Sequence, residues 1–467
     1  MARTALRGRL VDFVGDPTHS ASAVRVVDDG LLLIDGSRII GRGEFGPLSR
    51  ALNPSEEVTD FSGCLLMPGF IDAHTHFPQL DVIASPATGL LNWLTQHTYP
   101  AEMRFADPAV CHETAGFFLD ELACNGTTSA CVLGTVHPQS VEALFAEAHA
   151  REMRLVAGKC LMDRNCPPEL RDRGDQGMHD TMDLAARWHG KGRLAYAITP
   201  RFAASCSELQ LKLAGELARA RPDLYVQSHL AENEDEVRWV RELFPQARSY
   251  LDVYDAVGLL RERSIYAHCI WLDSTDRIRF ARSRALAAVC PTSNLFLGSG
   301  AFDFRQAVQT GMPVSLGTDV GGGQSFSMLA TMRAAHDVAR IKGSALRATQ
   351  LFYWATRGAA QALGWDDHVG TLESGAEADL VVLDPAATPL LARRAAKADS
   401  IESLLFALMI LGDDRAVRET FIAGRPSKAR HRPASTTARS DDARTLELTR
   451  RFMGRLKSVP GGGVLKP

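Results

Sequence analysis

Residues 68–76 read PGFIDAHTH. The stretch 69–73 is a short, mostly apolar run of the kind that forms a buried parallel strand. It stops at a His-x-His pair, His74 and His76. In extended backbone, residues two apart point to one side, so both imidazoles can reach one cation. Further along, His229 in SHLAEN, His268 in YAHCIW and Asp319 in GTDVGGG each stand where another apolar run ends and a loop begins. A single strand-end histidine is commonly a core feature. Five such residues in this order point instead to one metal ion held at the mouth of a barrel, where the strand ends of an alternating β/α fold converge.

Between residues 69 and 317, eight apolar runs alternate with helical patterns. Strands are expected over 69–73, 127–133, 154–160, 194–199, 224–229, 264–268, 286–290 and 313–317. Helices are expected over 108–125, 141–151, 207–221 and 234–244. This is the pattern of βα units, and eight of them predict a (β/α)8 TIM-like barrel of α/β class. A longer helical region, 327–363, follows the last strand. The first 65 or so residues read instead as short strands with turns, over 5–13, 23–28, 30–35 and 38–43, with Asp35-Gly36 as a hairpin signal. Strand texture returns at 379–384 and 417–422. The expected organisation is thus a barrel over 68–368, a smaller β-sandwich domain built from both chain ends, 1–67 and 369–426, and a polar, partly disordered tail over 427–467 with a short helix near 444–456.

Composition narrows the function classes. The 467 residues are 45% hydrophobic and 23% charged, with a formal net charge of −3. That balance gives no reason to expect nucleic acid or an acidic membrane surface as partner. Arg393, Arg394 and Lys397 read as a solvated helix face. No run of ~18 apolar residues predicts a membrane span. The nine cysteines are scattered singly, without C-x-x-C, and read as reduced, buried small hydrophobes. The N-terminal MARTALRGRL is not followed by an apolar core of signal-peptide length, and a cytoplasmic location is expected.

The candidate metal ligands are imidazole and carboxylate, which suit Zn(II) or Fe(II). A cation with an open position lowers the pKa of water to ~7, and its chemistry needs proton carriers. Asp319 is placed to accept the water proton, Glu232 to carry a proton to the substrate, and His268 to orient or polarise the attacked centre. Glu232 also precedes the helical run 234–244, where an acid is favoured by the helix dipole. H-E-x-x-H is absent, as is the H-x-E…P-C-x-x-C pattern of cytidine-type zinc deaminases. Lys159 in AGKCLMD falls on the third candidate strand and is read as structural rather than as a bridge between two metals. A single metal is expected.

Longer strings carry a resemblance. PGFIDAHTHFPQLDVIAS (68–85) resembles the opening motif of the amidohydrolase superfamily. LLNWLTQHTYPAE (90–102), GKCLMDRNCP (158–167), TPRFAASCS (199–207), QSHLAEN (227–233), HCIWL (268–272), CPTSNLFLGSG (290–300) and GTDVGGGQSFSML (317–329) are similar to the guanine deaminase family within it. The resemblance spans about residues 5–425. It implies hydrolysis of guanine to xanthine and ammonia with one zinc per chain. His74, His76, His229 and Asp319 would be its ligands, and His268 a ligand or close beside it. Guanine contacts would come from Gln79, Arg201, Phe202 and Glu232, and homodimers are implied. The residue types make chemical sense. Arg201 and Gln79 can serve the O6/N7 edge of a purine, and Phe202, with Trp93 as a further candidate, can stack on its face. Arg201 also reads as a structural ion-pair partner, Phe202 and Trp93 as core, Gln79 as a loop cap, and Gly321–Gly323 as a flexible turn. Two other readings stay open: an aminohydrolase for another purine, a pterin or a triazine, and a catalytically silent barrel used as a scaffold.

Overall fold

The computed structural model describes residues 3–428 except 54, 55, 87 and 174. The tail and the helix expected near 444–456 lie outside the described residues.

Residues on both sides of the barrel segment form one seven-stranded sheet. Thr4–Phe13 pairs antiparallel with Val24–Asp35 and parallel with Val58–Pro68. Leu380–Leu383 then adds antiparallel to Val58–Pro68, with Leu380 opposite Pro68 and Leu383 opposite Leu65. Arg38–Glu44 lies at one edge, and Val417–Ile422 with Arg425–Pro426 at the other. Alternation sorts the side chains by face. Leu6, Leu10, Leu32, Ile34, Leu66, Leu380 and Val382 build the sheet's own core. Val11, Phe13, Leu65, Met67, Val381 and Leu383 join the core shared with the barrel. The runs 23–28 and 30–35, expected as two strands, are one. A bulge opposite Gly8–Leu10 keeps the strand paired through Gly30, where an added Cβ would lie 2.4 Å from Leu10 Cγ. Gly36 takes the left-handed φ of +58° that its hairpin turn requires. Val58–Pro68 was not singled out from the sequence, because its outer half, VTDFSG, is polar and glycine-broken.

The barrel strands are Phe70–His76, Thr127–Leu133, Arg154–Gly158, Leu194–Pro200, Tyr225–Leu230, Ser264–His268, Leu286–Val289 and Val314–Leu316, hydrogen-bonded in that order. Pairing within the ladder is parallel throughout. Both faces of the strands are buried. Ile71, Cys131, Val156, Ala197, Ile265 and Leu286 fill the interior with Ala359, Ala360, Leu363 and Trp365. Their sequence neighbours, such as Phe70, Val132, Leu155 and Tyr266, face the helices.

No strand ladder joins the eighth strand to the first. Two backbone hydrogen bonds close the gap: Asp319 N–H to His74 O at 2.9 Å, and His76 N–H to Val320 O at 2.8 Å. Gly317 crosses the same seam, and an added Cβ there would lie 2.8 Å from His74 O.

The helices expected over 108–125, 141–151, 207–221 and 234–244 appear as Pro108–Cys124, Pro138–Ala150, Glu208–Ala220 and Glu234–Leu243. The region 327–363 is three helices, Met328–Ile341, Ala348–Trp354 and Arg357–Leu363. Two helices stand between the late sheet strands: Pro389–Ala395, which carries the expected basic helix face, and Ile401–Leu411, which has no sequence-based expectation and packs on Met328–Ile341 and Ala348–Trp354. Arg393, Arg394 and Lys397 are exposed there. The nine cysteines are free. Among the described residues no helix is long and apolar enough to cross a membrane.

Candidate active site

Each predicted ligand arrives at the same barrel mouth by a different local device. In the first strand the pairing register slips between Asp72 and Thr75. A one-residue bulge changes facing parity, so Ile71 and Ala73 fill the barrel below while His74 and His76 meet the other histidines above. His229 keeps the alternation of Tyr225, inside the barrel. His268 does not: alternation alone would send it outward with Tyr266. Its φ of +70°, followed by +54° at Cys269, turns the imidazole inward. Asp319 (φ +52°) and Ala231 (φ +49°) are left-handed as well. Non-glycine residues in this region carry strain, and such strain concentrates at functional sites.

The side chains converge closely. His76 Nε2 is 3.1 Å from His74 Nε2 and 3.1 Å from His229 Nε2. Asp319 Oδ1 lies 3.2 Å from His74 Nε2 and 3.3 Å from His76 Nε2. One ligand atom from each of His74, His229, His268 and Asp319 falls within 4.8 Å of the others. His229 Nδ1 donates to the carbonyl of Arg201 at 2.6 Å, which fixes the tautomer and leaves the Nε2 lone pair facing the cluster. Asp72 anchors the seam by accepting from Thr318 N at 3.0 Å and His74 N at 3.2 Å, and from the Thr318 hydroxyl.

Burial sets the charges. It pushes His76 down to about 4 and His268 to about 3, and with help from the neighbouring imidazoles it holds His229 well below the ordinary imidazole value. Burial also works against ionised Asp319, but the His74 and His76 contacts outweigh it and hold the carboxyl well below its usual range. Neutral imidazoles beside a carboxylate are the forms that ligate a cation. Ring nitrogens crowd one another here, and His268 Nε2 and His76 Nδ1 are buried without a hydrogen-bond partner. The donor set fits a divalent ion such as zinc or iron.

Glu232 stands beside this cluster, its Oε2 3.3 Å from His268 Nε2. Burial, then the charges of Asp319 and Glu236, raise its carboxyl well above the usual value. The helix-capping role open to it belongs to others. Asn233 is the N-cap of Glu234–Leu243, and Glu236 accepts from the backbone N–H of Glu232 at 2.9 Å and of Asn233 at 3.2 Å.

A cavity opens onto the cluster. Its polar lining includes His76, His229, Glu232, His268 and Asp319 on one side, with Gln79 and Arg201 also exposed to it; Leu90, Trp93, Leu94, Phe202 and Leu297 give the apolar surface. Every site residue expected from the sequence except His74 is in this lining, and His74 reaches the ligand cluster. The structural readings hold alongside. Arg201 is ion-paired to Glu102, Phe202 packs edge-on against Trp239 at 5.9 Å, and Trp93 packs against Phe296 at 6.2 Å. The glycine turn is tightly packed rather than loose: a Cβ on Gly321 would lie 2.4 Å from Gln79 O, and one on Gly323 1.8 Å from Thr318 O. Lys159 pairs with Asp172 at 2.6 Å, which accounts for its burial.

Several supporting residues had no role in the sequence reading. Asn294 Nδ2 lies 2.8 Å from His268 Nδ1, and Ser299 Oγ donates to Glu232 Oε1 at 3.0 Å. Asp72, Glu102 and Glu236 are buried carboxyls beside the site. All but Glu236 lie inside the quoted motifs, yet nothing in their local spacing reports which distant side chain each one meets.

Comparison with known proteins agrees with this geometry. Residues 65–426 match the model of the amidohydrolase family. The guanine deaminase of Escherichia coli K12 is 43% identical over 424 residues, 90% of this chain and 97% of that protein. Its solved structure superposes with a TM-score of 0.88, covering 91% of this chain and 99% of that one. A guanine deaminase from C. acetobutylicum, solved with guanine in its active site, has a TM-score of 0.82 at 28% identity, covering 91% of this chain and 99% of that one. The chain is a hydrolase acting on carbon–nitrogen bonds and belongs to the amidohydrolase family, in its guanine deaminase branch.

Proposed function

We propose that this chain hydrolyses guanine to xanthine and ammonia. The observation that carries the reading is the single cavity in which Glu232, His268 and Asp319 share a space with Arg201, Gln79 and Phe202. His74, His76, His229 and Asp319 would hold the metal, with His268 a ligand or its neighbour, and zinc is the ion proposed. When bound, the cation supplies a Lewis acid that makes water a nucleophile near neutral pH.

The chain's own residues do the rest. Arg201 and Gln79 donate to the O6/N7 edge of the base, while Phe202 and Trp93 supply apolar surface for its face. Asp319, an ionised carboxylate, takes the proton from the attacking water as C2 becomes tetrahedral. His268 orients the attack. Glu232, whose burial favours the protonated carboxyl, donates to ring N3. It then takes the proton of the new C2 hydroxyl and passes it to the amino group, which leaves as ammonia as C2 becomes a carbonyl. The proton held by Asp319 returns Glu232 to its acid form. Homodimerisation and a cytoplasmic location belong to the same proposal. They rest on the resemblance and, for location, on the free, scattered cysteines. The domain division at 67/68, 368/369 and 426/427 is also proposed; its support is that the strands of the seven-stranded sheet lie within Thr4–Pro68 and Leu380–Pro426, on both sides of the barrel segment.

An ammonia-release screen of the metal-loaded protein against guanine, 8-oxoguanine, adenine, cytosine and pterins tests the substrate. Guanine is expected to be turned over fastest. Turnover of another base with none of guanine would overturn the proposal.

A further inference from the structure

The helix Tyr99–Met103 follows a π-turn, Leu94–Thr98, that begins at the cavity wall. Such turns are rare and recur at functional sites. Tyr99 and Glu102, three residues apart and so on one face, both reach Arg201. The Tyr99 ring lies 5.6 Å from the guanidinium carbon. The Glu102 carboxylate, wholly buried, accepts from Arg201 Nη1 through both oxygens, at 2.7 and 2.6 Å. Because one nitrogen serves both oxygens, Nε and Nη2 of Arg201 stay outside the pair.

Glu102 also meets Gln79. Gln79 Nε2 lies 3.4 Å from Glu102 Oε1, and Gly321 N–H points at Gln79 Oε1, also at 3.4 Å. An ionised carboxylate only accepts and a backbone N–H only donates. The two contacts are long, but they impose the same amide orientation, with nitrogen toward Glu102 and oxygen toward Gly321. A second Nε2 hydrogen is then left for the cavity. Two donors from different strand ends are thus held by one carboxylate that itself is absent from the cavity lining.

We infer that Glu102 is a positioning residue for base selection: by holding the Arg201 guanidinium and the Gln79 amide, it makes this side of the cavity a donor surface that accepts a 6-oxo purine and rejects one without that oxygen. The inference rests on the proposed guanine reading. A surface built to donate to a substrate oxygen discriminates strongly against analogues lacking it, because its buried donors are left unpaired.

The test uses the full-length, metal-loaded protein with Glu102→Gln, and Glu102→Asp as the variant that keeps the buried charge compensated. Four quantities are measured: kcat and KM for guanine, and Ki for hypoxanthine, which has the 6-oxygen, and for purine, which lacks it. In the wild type hypoxanthine is expected to inhibit more strongly than purine. With Glu102→Gln, KM for guanine and Ki for hypoxanthine should each rise about tenfold or more, the size of a lost charge-assisted hydrogen bond. The purine Ki should stay within about twofold, and kcat should change far less than KM. Glu102→Asp should show the same pattern at smaller amplitude, and it decides the matter if the glutamine variant does not fold. Equal rises for hypoxanthine and purine would mean a general loss of cavity shape and overturn the inference, as would no change in either, or equal affinities in the wild type. Absence of guanine turnover in the wild type would instead count against the proposed function.

Discussion

The two ends of the barrel both bury charged groups, and they use them in opposite ways. At the end facing the sheet, Arg154 donates to both oxygens of Glu377, at 2.9 and 2.8 Å. Arg193 reaches Glu377 at 2.8 Å and also pairs with Asp379. Asp379 accepts in addition from Ala423 N–H at 2.9 Å. Charges of both signs alternate, and their carboxylate oxygens are occupied. At the mouth, imidazoles crowd one another around Asp319, with Glu232 alongside, and His268 Nε2 is left without a hydrogen-bond partner. The backbone there is left-handed at four non-glycine positions, Ala231, His268, Cys269 and Asp319. Carboxylates make a fastener where arginines saturate them, and a reactive centre where they are held among imidazoles left unsaturated.

The sharpest way to test that contrast is to change one carboxyl at each end. Glu232→Gln keeps the shape and the Ser299 contact but cannot carry a proton. Turnover of guanine should fall by about a thousandfold or more, while bound metal, measured by elemental analysis, stays at the wild-type ratio. Surviving activity would remove Glu232 as the proton carrier. Glu377→Gln should do the reverse, costing ~2–3 kcal/mol of stability in chemical denaturation with kcat/KM for guanine within about twofold.

The second variant also carries a pH signature. Burial opposes ionisation of Glu377, but Arg193 and Arg154 outweigh it and hold its carboxyl below its ordinary range. A depressed carboxyl contributes stability that is complete above the unfolded value of ~4.3 and is lost as pH falls through the folded value. The stability gap between wild type and Glu377→Gln should therefore be present at neutral pH and close in strongly acidic buffer, where Glu377 is protonated in both states. A gap that persists there would contradict the ion-pair account. The smallest effect on the site is expected at Lys159→Met, which leaves Asp172 with its contacts to Met162 N and Gln210 Nε2. Removing one partner of this buried pair should cost ~3 kcal/mol of stability, with metal content unchanged. A change in metal ratio would revive Lys159 as a ligand.

The sequence made the barrel readable because its strands are buried on both faces and so appear as largely apolar runs, uninterrupted in 194–198 and 286–290. Its helices carried clear end signals, such as Asp107 before Pro108 and Ser207 before Glu208. The helix Ile401–Leu411 was missed because IESLLFALMIL is apolar nearly all round, which gives no period to detect. In the site, residues at strand ends could be ordered along the chain and expected to meet. The inward turn of His268 depends on a backbone angle that alternation does not encode. Glu102 and Ser299 act across distances in sequence that no local pattern spans.

The barrel's closure has a consequence of its own. The seam between the last strand and the first is held by backbone bonds of His74, His76, Asp319 and Val320, so three of the candidate ligands are also the stitches. An ion gripped by their side chains would be a crosslink between two segments that lie far apart along the chain. By linkage, its binding free energy would add directly to the stability of the closed ring, and opening of the ring would weaken its grip on the ion in equal measure.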